Sequence, residues 1–186
     1  MALAPATAAN DKPNHPNAVW MAAIAWLSHN MVVGCLMGSF SVMRGPVSHI
    51  TGAKDALVAL AGPLLLAGSA LAGVVSGDLI ARFPLRRLML ITSALGVIGF
   101  LILAFNTSYA VYIAVYIALF GPGMSICGSV GPATLVTRWF NRHRGLALGL
   151  VHVNLIVALM PLLCVWLLGS YGPKVVYQMM AALIGL

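Results

Sequence analysis

Two histidines lie inside apolar stretches, His29 in "SHNM" and His152 in "LVHVNL". They are the groups there that can take up a proton near neutral pH. The acidic inventory is three aspartates, Asp11, Asp55 and Asp78. These fall in the leading segment or near the ends of apolar runs, so no deep carboxylate is available as a proton carrier. A histidine within a membrane span is by default a functional candidate, and His152 is read either as a proton-binding, substrate-facing group or as a hydrogen-bonded packing residue. Arginine offers a second chemistry, because its planar fork of donors matches a carboxylate. Enzymatic readings fail: there is no carboxylate pair, no nucleophile-base arrangement and no phosphate-cradling loop, so no catalytic residue is expected. Cys35, Cys127 and Cys164 are scattered without ligand spacing. No metal and no cofactor are therefore expected.

The elements that hold these groups follow from composition. Of 186 residues, 61% are hydrophobic and 7% charged, which describes an all-α membrane protein in contact with a lipid bilayer. Apolar spans run at about 20–43, 56–77, 88–105, 109–137 and 145–168, and a sixth begins near Val175. The sixth stops at Leu186 short of a full crossing, so the sequence reads as part of a longer protein. Residues 1–19 read as a mobile tail, and 20–186 as the helix bundle. The net charge of +7 does not indicate nucleic acid, since the cations cluster at span ends and are not interleaved with aromatics along a stripe.

Arg82, Arg86 and Arg87 follow span two, and Arg138, Arg142 and Arg144 follow span four, whereas the alternate connections hold Arg44, Lys54 and Lys174. By the positive-inside bias those two connections and the N-terminus are cytoplasmic, in a multi-pass protein of the cell membrane. Small residues suggest close helix packing: Ser69, Gly73 and Gly77 on span two, and Gly121, Ser125, Gly128 and Pro132 on span four. Pro122 and Pro132 lie within a span, where each frees a backbone carbonyl that a neighbouring helix or a cavity has to satisfy. "RGPV" at 44–47 and "VGPA" at 130–133 recur about 86 residues apart. They outline a 3+3 repeat whose second copy is inverted, since three spans is an odd number.

On an uninterrupted α-helical wheel, Asn30, Gly34, Met37, Ser41 and Arg44 share one side of span one. Such a polar line should face protein or water, which makes Asn30, Ser41 and Arg44 candidate substrate contacts along with His152. On the same type of wheel His152 shares a face with Gly145 and Gly149, and Asn154 points nearly the opposite way. The two are not expected to face one cavity.

"SGDLIARFPLRRLML" (76–90) resembles the signature between helices two and three of the major facilitator superfamily, usually G-x-L-x-D-R-x-G-R-R. Gly77, Leu79, Arg82, Arg86 and Arg87 fit with one extra residue, while Ala81 replaces the aspartate and Pro84 the second glycine. "RWFNRHRGLALGL" (138–150) is similar to the W-F-x-x-R-R-G-L-A-x-G element of the monocarboxylate-carrier and oxalate/formate-antiporter branch. Trp139, Phe140, Arg144, Gly145, Leu146, Ala147 and Gly149 coincide. The resemblance implies the six-helix N-terminal half of a 12-helix bundle, whose missing C-terminal half is its partner. It implies a secondary transporter of a small solute, such as an organic anion, with a proton or counter-transported anion. It also implies a cytoplasmic gate at Gly77, Asp78, Arg82, Arg86, Arg87 and Arg144. The lysine that animal monocarboxylate carriers place in helix one is absent from residues 20–43. The rival reading is a non-transporting sensor or scaffold on the same bundle, which a soluble signalling domain in place of six further spans would favour.

If the arginine clusters set orientation, an impermeant thiol label reaches a cysteine placed at Asn141 only from the cytoplasm and one placed at Thr107 only from outside. The opposite pattern would reverse the topology and remove the gate assignment with it.

Overall fold

The computed structural model describes residues 14–185; the first thirteen residues of the expected tail lie outside them. The chain forms six helices there: α1 (Ala18–Thr51), α2 (Asp55–Arg82), α3 (Leu85–Phe105), α4 (Tyr109–Trp139), α5 (Arg144–Tyr171) and α6 (Pro173–Gly185). The first five are long and apolar enough to cross a membrane. Even the shortest, at 21 residues, reaches about 30 Å at a rise of about 1.5 Å per residue. Each sequence-expected span is present, extended at its ends by polar turns that hydropathy does not score.

Local chemistry sets the boundaries. α1 stops where Gly52 takes a left-handed conformation (φ 68°) that a side chain would resist. Pro84 holds Phe83 extended and ends α2. The Asn106 side chain closes the turn after α3, accepting from Ser108 N and donating to Ser108 O. Residues 14–19, expected in the loose tail, are instead engaged. Asn14 Oδ1 accepts from the backbone N–H groups of Asn141 and Arg142, the His15 ring stands edge-on to Trp139 at 4.3 Å, and Ala18 is already helical. Residues 14–15 and the α4–α5 connection therefore sit at the same end of the bundle.

Packing matches the expected repeat. α1 lies against α4 and α3 against α6, while α2 packs on α4 as α5 packs on α1. Exchanging the first three helices with the second three preserves those pairings. The core between them is closed by Leu36, Met43, Leu65, Phe100, Tyr112, Phe120 and Met180, all at most 2% exposed.

Close approach depends on glycine, though not on every one expected. A Cβ on Gly121 would stand 2.8 Å from the Gly68 carbonyl carbon, and the Ser76 and Ser125 hydroxyls meet at 3.0 Å farther along the same pair of helices. On α4 only Gly121 and Ser125 of the expected stripe meet α2; Gly128 lies in the π turn at Ile126–Val130 and faces Val32 and Val33 of α1. On α2 the contact runs through Gly68, Gly73 and Ser76 rather than Ser69, Gly73 and Gly77, and Gly77 faces open space. Hydropathy could not phase that stripe, because both candidate faces of α2 carry small residues.

Gly121→Ala should lower thermal stability in detergent by about 1–3 kcal/mol through overpacking, although alanine is the better helix former by about 1 kcal/mol. Gly77→Ala, with space for its methyl group, should not lower it. Equal melting temperatures for the two variants would show that the α2–α4 contact tolerates separation.

Candidate functional site

The site begins with two breaks in helix geometry. In α4, π-helical turns at Tyr116–Phe120 and Ile126–Val130 precede Gly121-Pro122 and Gly131-Pro132. A proline has no N–H for the carbonyl four residues back. Pro132 therefore leaves the Gly128 carbonyl free in mid-span, and the Nδ1–H of buried His29 donates to it. Ser28 Oγ, one residue earlier on α1, donates to Cys127 O at 3.3 Å.

The second break is in α5, which is helical over Arg144–Val151 and again over Leu155–Tyr171, and unwound between. Unwinding frees backbone groups where lipid offers no replacement partner. α1 supplies partners. Trp26 Nε1 and Asn30 Nδ2 donate to Val153 O at 3.1 and 3.0 Å, and Asn30 Oδ1 accepts from Ile156 N at 3.1 Å. Asn30 also donates to Trp26 O at 3.1 Å and is fully buried. Trp26, His29 and Asn30 stand at i, i+3 and i+4, one face of α1. Farther along that interface a Cβ on Gly34 would meet Ile156 at 2.7 Å and one on Gly38 would meet Met160 at 2.5 Å.

The break also reorders the polar side chains. His29 Nε2 lies 2.6 Å from Asn154 Oδ1, and its ring stands 4.6 Å from that of His152 at an interplanar angle of 61°. The helical-wheel expectation that His152 and Asn154 point apart is thus corrected. They share one neighbour, because residues 152–154 do not follow an α-helical turn. His152 Nδ1–H donates to Leu148 O at 2.8 Å, the ring is exposed, and its Nε2 makes no hydrogen bond among the described residues.

The polar line expected on α1 is also broken. The π turn at Gly34–Gly38 adds a residue to one turn and rotates the second half of the helix by about 100° relative to the first. Asn30 is committed to α5, while Ser41 is exposed and bonded to Gly38 O at 3.4 Å. Arg44 forms an ion pair with Asp55 across the α1–α2 connection (2.5 Å). The Nε of Arg44 and the hydroxyls of Tyr112 and Tyr177 are buried without hydrogen-bond partners in the structure, and both tyrosines line one small void with Val47 and Asn106.

At the opposite end, Arg82 pairs with Asp78 one turn back on its own helix at 3.2 Å, both well exposed. Arg86 and Arg87 are exposed at the start of α3. Arg144 Nε donates to Phe140 O and its Nη2 lies 3.5 Å from Asn141 Oδ1. Sequence reasoning named His29 without placing it and missed Gly128 and Asn154 as its hydrogen-bond partners. One signal was present, since Pro132 identifies Gly128 as the carbonyl losing its helical donor.

Residues 18–186 match the family model of the Major Facilitator Superfamily. Among curated proteins the chain is similar to the uncharacterized MFS-type transporter YcxA of Bacillus subtilis (strain 168), at 22% identity over 156 residues, covering 84% of this chain and 38% of that protein. The chain thus spans well under half the length of that relative. No solved structure matches it.

Asn30→Leu strips Ile156 N of its acceptor and Val153 O of one of its three donors, Trp26 Nε1 and Leu155 N remaining. It should destabilise the bundle by about 1–3 kcal/mol per orphaned group and speed hydrogen exchange at the Ile156 amide. Trp26→Phe should cost less, because Val153 O keeps Asn30. Unchanged exchange at Ile156 in Asn30→Leu would mean that another group supports the break.

Proposed function

The chain belongs to the major facilitator superfamily, and from that membership we propose that it moves a small solute across the cell membrane by alternating access, as part of a secondary active transporter with a cytoplasmic N-terminus. The observation that carries this reading is the unwound segment of α5. A span interrupted in mid-membrane, with its backbone held by side chains of a neighbouring helix, presents polar groups at the depth where transporters of broken-helix design bind solutes and ions. A static scaffold has no need of such a break.

The solute is an organic anion, such as a monocarboxylate. Three features support this class. The spans carry no acidic side chain in their middle thirds, residues 138–150 resemble the monocarboxylate and oxalate/formate branch, and Arg44, Tyr112 and Tyr177 hold buried donors without acceptors. In this reading Asp55 occupies the Arg44 fork until a solute carboxylate takes its place. The arginines after α2 and α4, with Gly77 and Asp78, form the gate at the cytoplasmic end, and the remainder of the protein closes the solute path.

The test is uptake by the full-length protein of a panel of small mono- and dicarboxylates, comparing Arg44→Lys with wild type at equal membrane abundance. Lysine keeps the charge and loses the two-donor fork. Apparent affinity should fall about ten- to a hundredfold, the equivalent of about 1.5–3 kcal/mol. Unchanged affinity would confine Arg44 to its ion pair, and no uptake of any carboxylate by wild type would overturn the anion reading.

A further inference from the structure

We propose that the groove between the first halves of α1 and α5 binds one anionic phospholipid, with an acyl chain lying in the groove and the headgroup held by cations of the α4–α5 connection. The site requires a membrane around the protein and is independent of the solute that is moved.

Two short helical faces build the groove. Val19, Ala22, Ala23 and Trp26 recur at i, i+3, i+4 and i+7 on α1, and Leu146, Ala147 and Leu150 stand on the facing side of α5. The alanines sit where larger side chains would fill the space, and an open cavity of about 390 Å³ remains. Val19, Leu146 and Leu150 are 74%, 67% and 60% exposed, so the described residues leave these apolar walls uncovered. Trp26 closes the inner end, with its indole N–H already committed to Val153 O at 3.1 Å. From Val19 to Trp26 the helix rises about 10 Å, which keeps the groove inside one leaflet of a hydrocarbon core about 30 Å thick. A polar solute finds no unengaged donor or acceptor along these walls, whereas an acyl chain needs none.

The mouth of the groove has the opposite chemistry. His143 lines it, held in a left-handed conformation (φ 59°) by the turn that leads into α5, and its ring offers an N–H in either charge state. Arg138, Arg142 and Arg144 flank it in the chain, all exposed. The guanidinium groups of Arg138 and Arg142 have no hydrogen bond or ion pair among the described residues, while Arg144 Nε donates to Phe140 O. The described aspartates, Asp78 and Asp55, pair with Arg82 and Arg44 instead. Asn14 Oδ1 takes the backbone N–H groups of Asn141 and Arg142, so a headgroup is met here by side chains and not by a backbone nest. Phosphate oxygens match the guanidinium fork. A zwitterionic lipid brings the same chain, but its ammonium group offsets the attraction. In the proposed topology this end is cytoplasmic, and the cytoplasmic leaflet is the one that carries anionic lipid.

The experiment is fluorescence quenching in full-length protein, held in nanodiscs of phosphatidylcholine with a minor fraction of phosphatidylglycerol, the bromine being on the acyl chains of one lipid or the other. The Trp26 signal is the difference between wild type and Trp26→Phe. Mole for mole, brominated phosphatidylglycerol should quench Trp26 at least about fivefold more effectively than brominated phosphatidylcholine, the worth of one arginine at a membrane surface. Replacing Arg138 and Arg142 together by glutamine should bring the two lipids close to parity and leave quenching by phosphatidylcholine unchanged. Ala23→Leu, which fills the groove from an exposed position, should reduce quenching by both. Equal quenching of the wild type by the two lipids would reduce the site to ordinary solvation by lipid and overturn the proposal. Trp26 beyond the reach of both would overturn it by showing that another part of the protein covers the groove. A preference that survives loss of both arginines would remove the headgroup contact, and one that survives Ala23→Leu would place the chain elsewhere.

Discussion

Inside hydrocarbon, a backbone N–H or C=O without a partner has no water to turn to, and the middle of this bundle is organised around that constraint. Pro132 removes one donor from α4, and the freed Gly128 carbonyl is met by His29. The unwinding of α5 frees Val153 O and Ile156 N, and both are met from Trp26 and Asn30. One face of α1 therefore serves two broken neighbours at once. Its side chains are the replacement for two stretches of lost helical ladder.

That service requires α1 and α5 to lie close. Gly34 and Gly38 allow it by leaving room for Ile156 and Met160, and the order of these contacts shows the helices running parallel, as the first and fifth spans of an alternating chain do. On the opposite side of the bundle Gly68 and Gly121 bring α2 against α4. In lipid no hydrophobic force draws apolar helices together, so such contacts rest on fit and dispersion. The charged groups are arranged differently. Arg44, Arg82 and Arg144 are each engaged within their own connection or helix end, where solvent screens them and they contribute little to holding the bundle.

Reading the spans from hydropathy succeeded because a crossing of about 30 Å imposes a length on each apolar run that few other constraints imitate. Membership of the superfamily was equally legible, because the resemblance rests on specific residues at fixed spacing. Faces were harder. The wheel through Asn30, Ser41 and Arg44 assumed an uninterrupted α-helix, and the π turn at Gly34–Gly38 rotated its two halves apart. The wheel that separated His152 from Asn154 failed for the same reason, since the chain is not helical at residues 152–154.

By itself the sequence determined the class of protein, the number and limits of the apolar spans, the places where proline would cost a helix its hydrogen bonds, and the poverty of intramembrane charge. These are local properties: they depend on what a residue is and on its near neighbours in the chain. Tertiary structure decided which carbonyls found which donors, and that histidines 123 positions apart in the chain came within 4.6 Å. It also moved the close contact on α2 to Gly68. The physical reason is that a break in a helix changes the phase of everything beyond it. Where such a break is tolerated depends on a partner from another helix, and no single helix's periodicity contains that information.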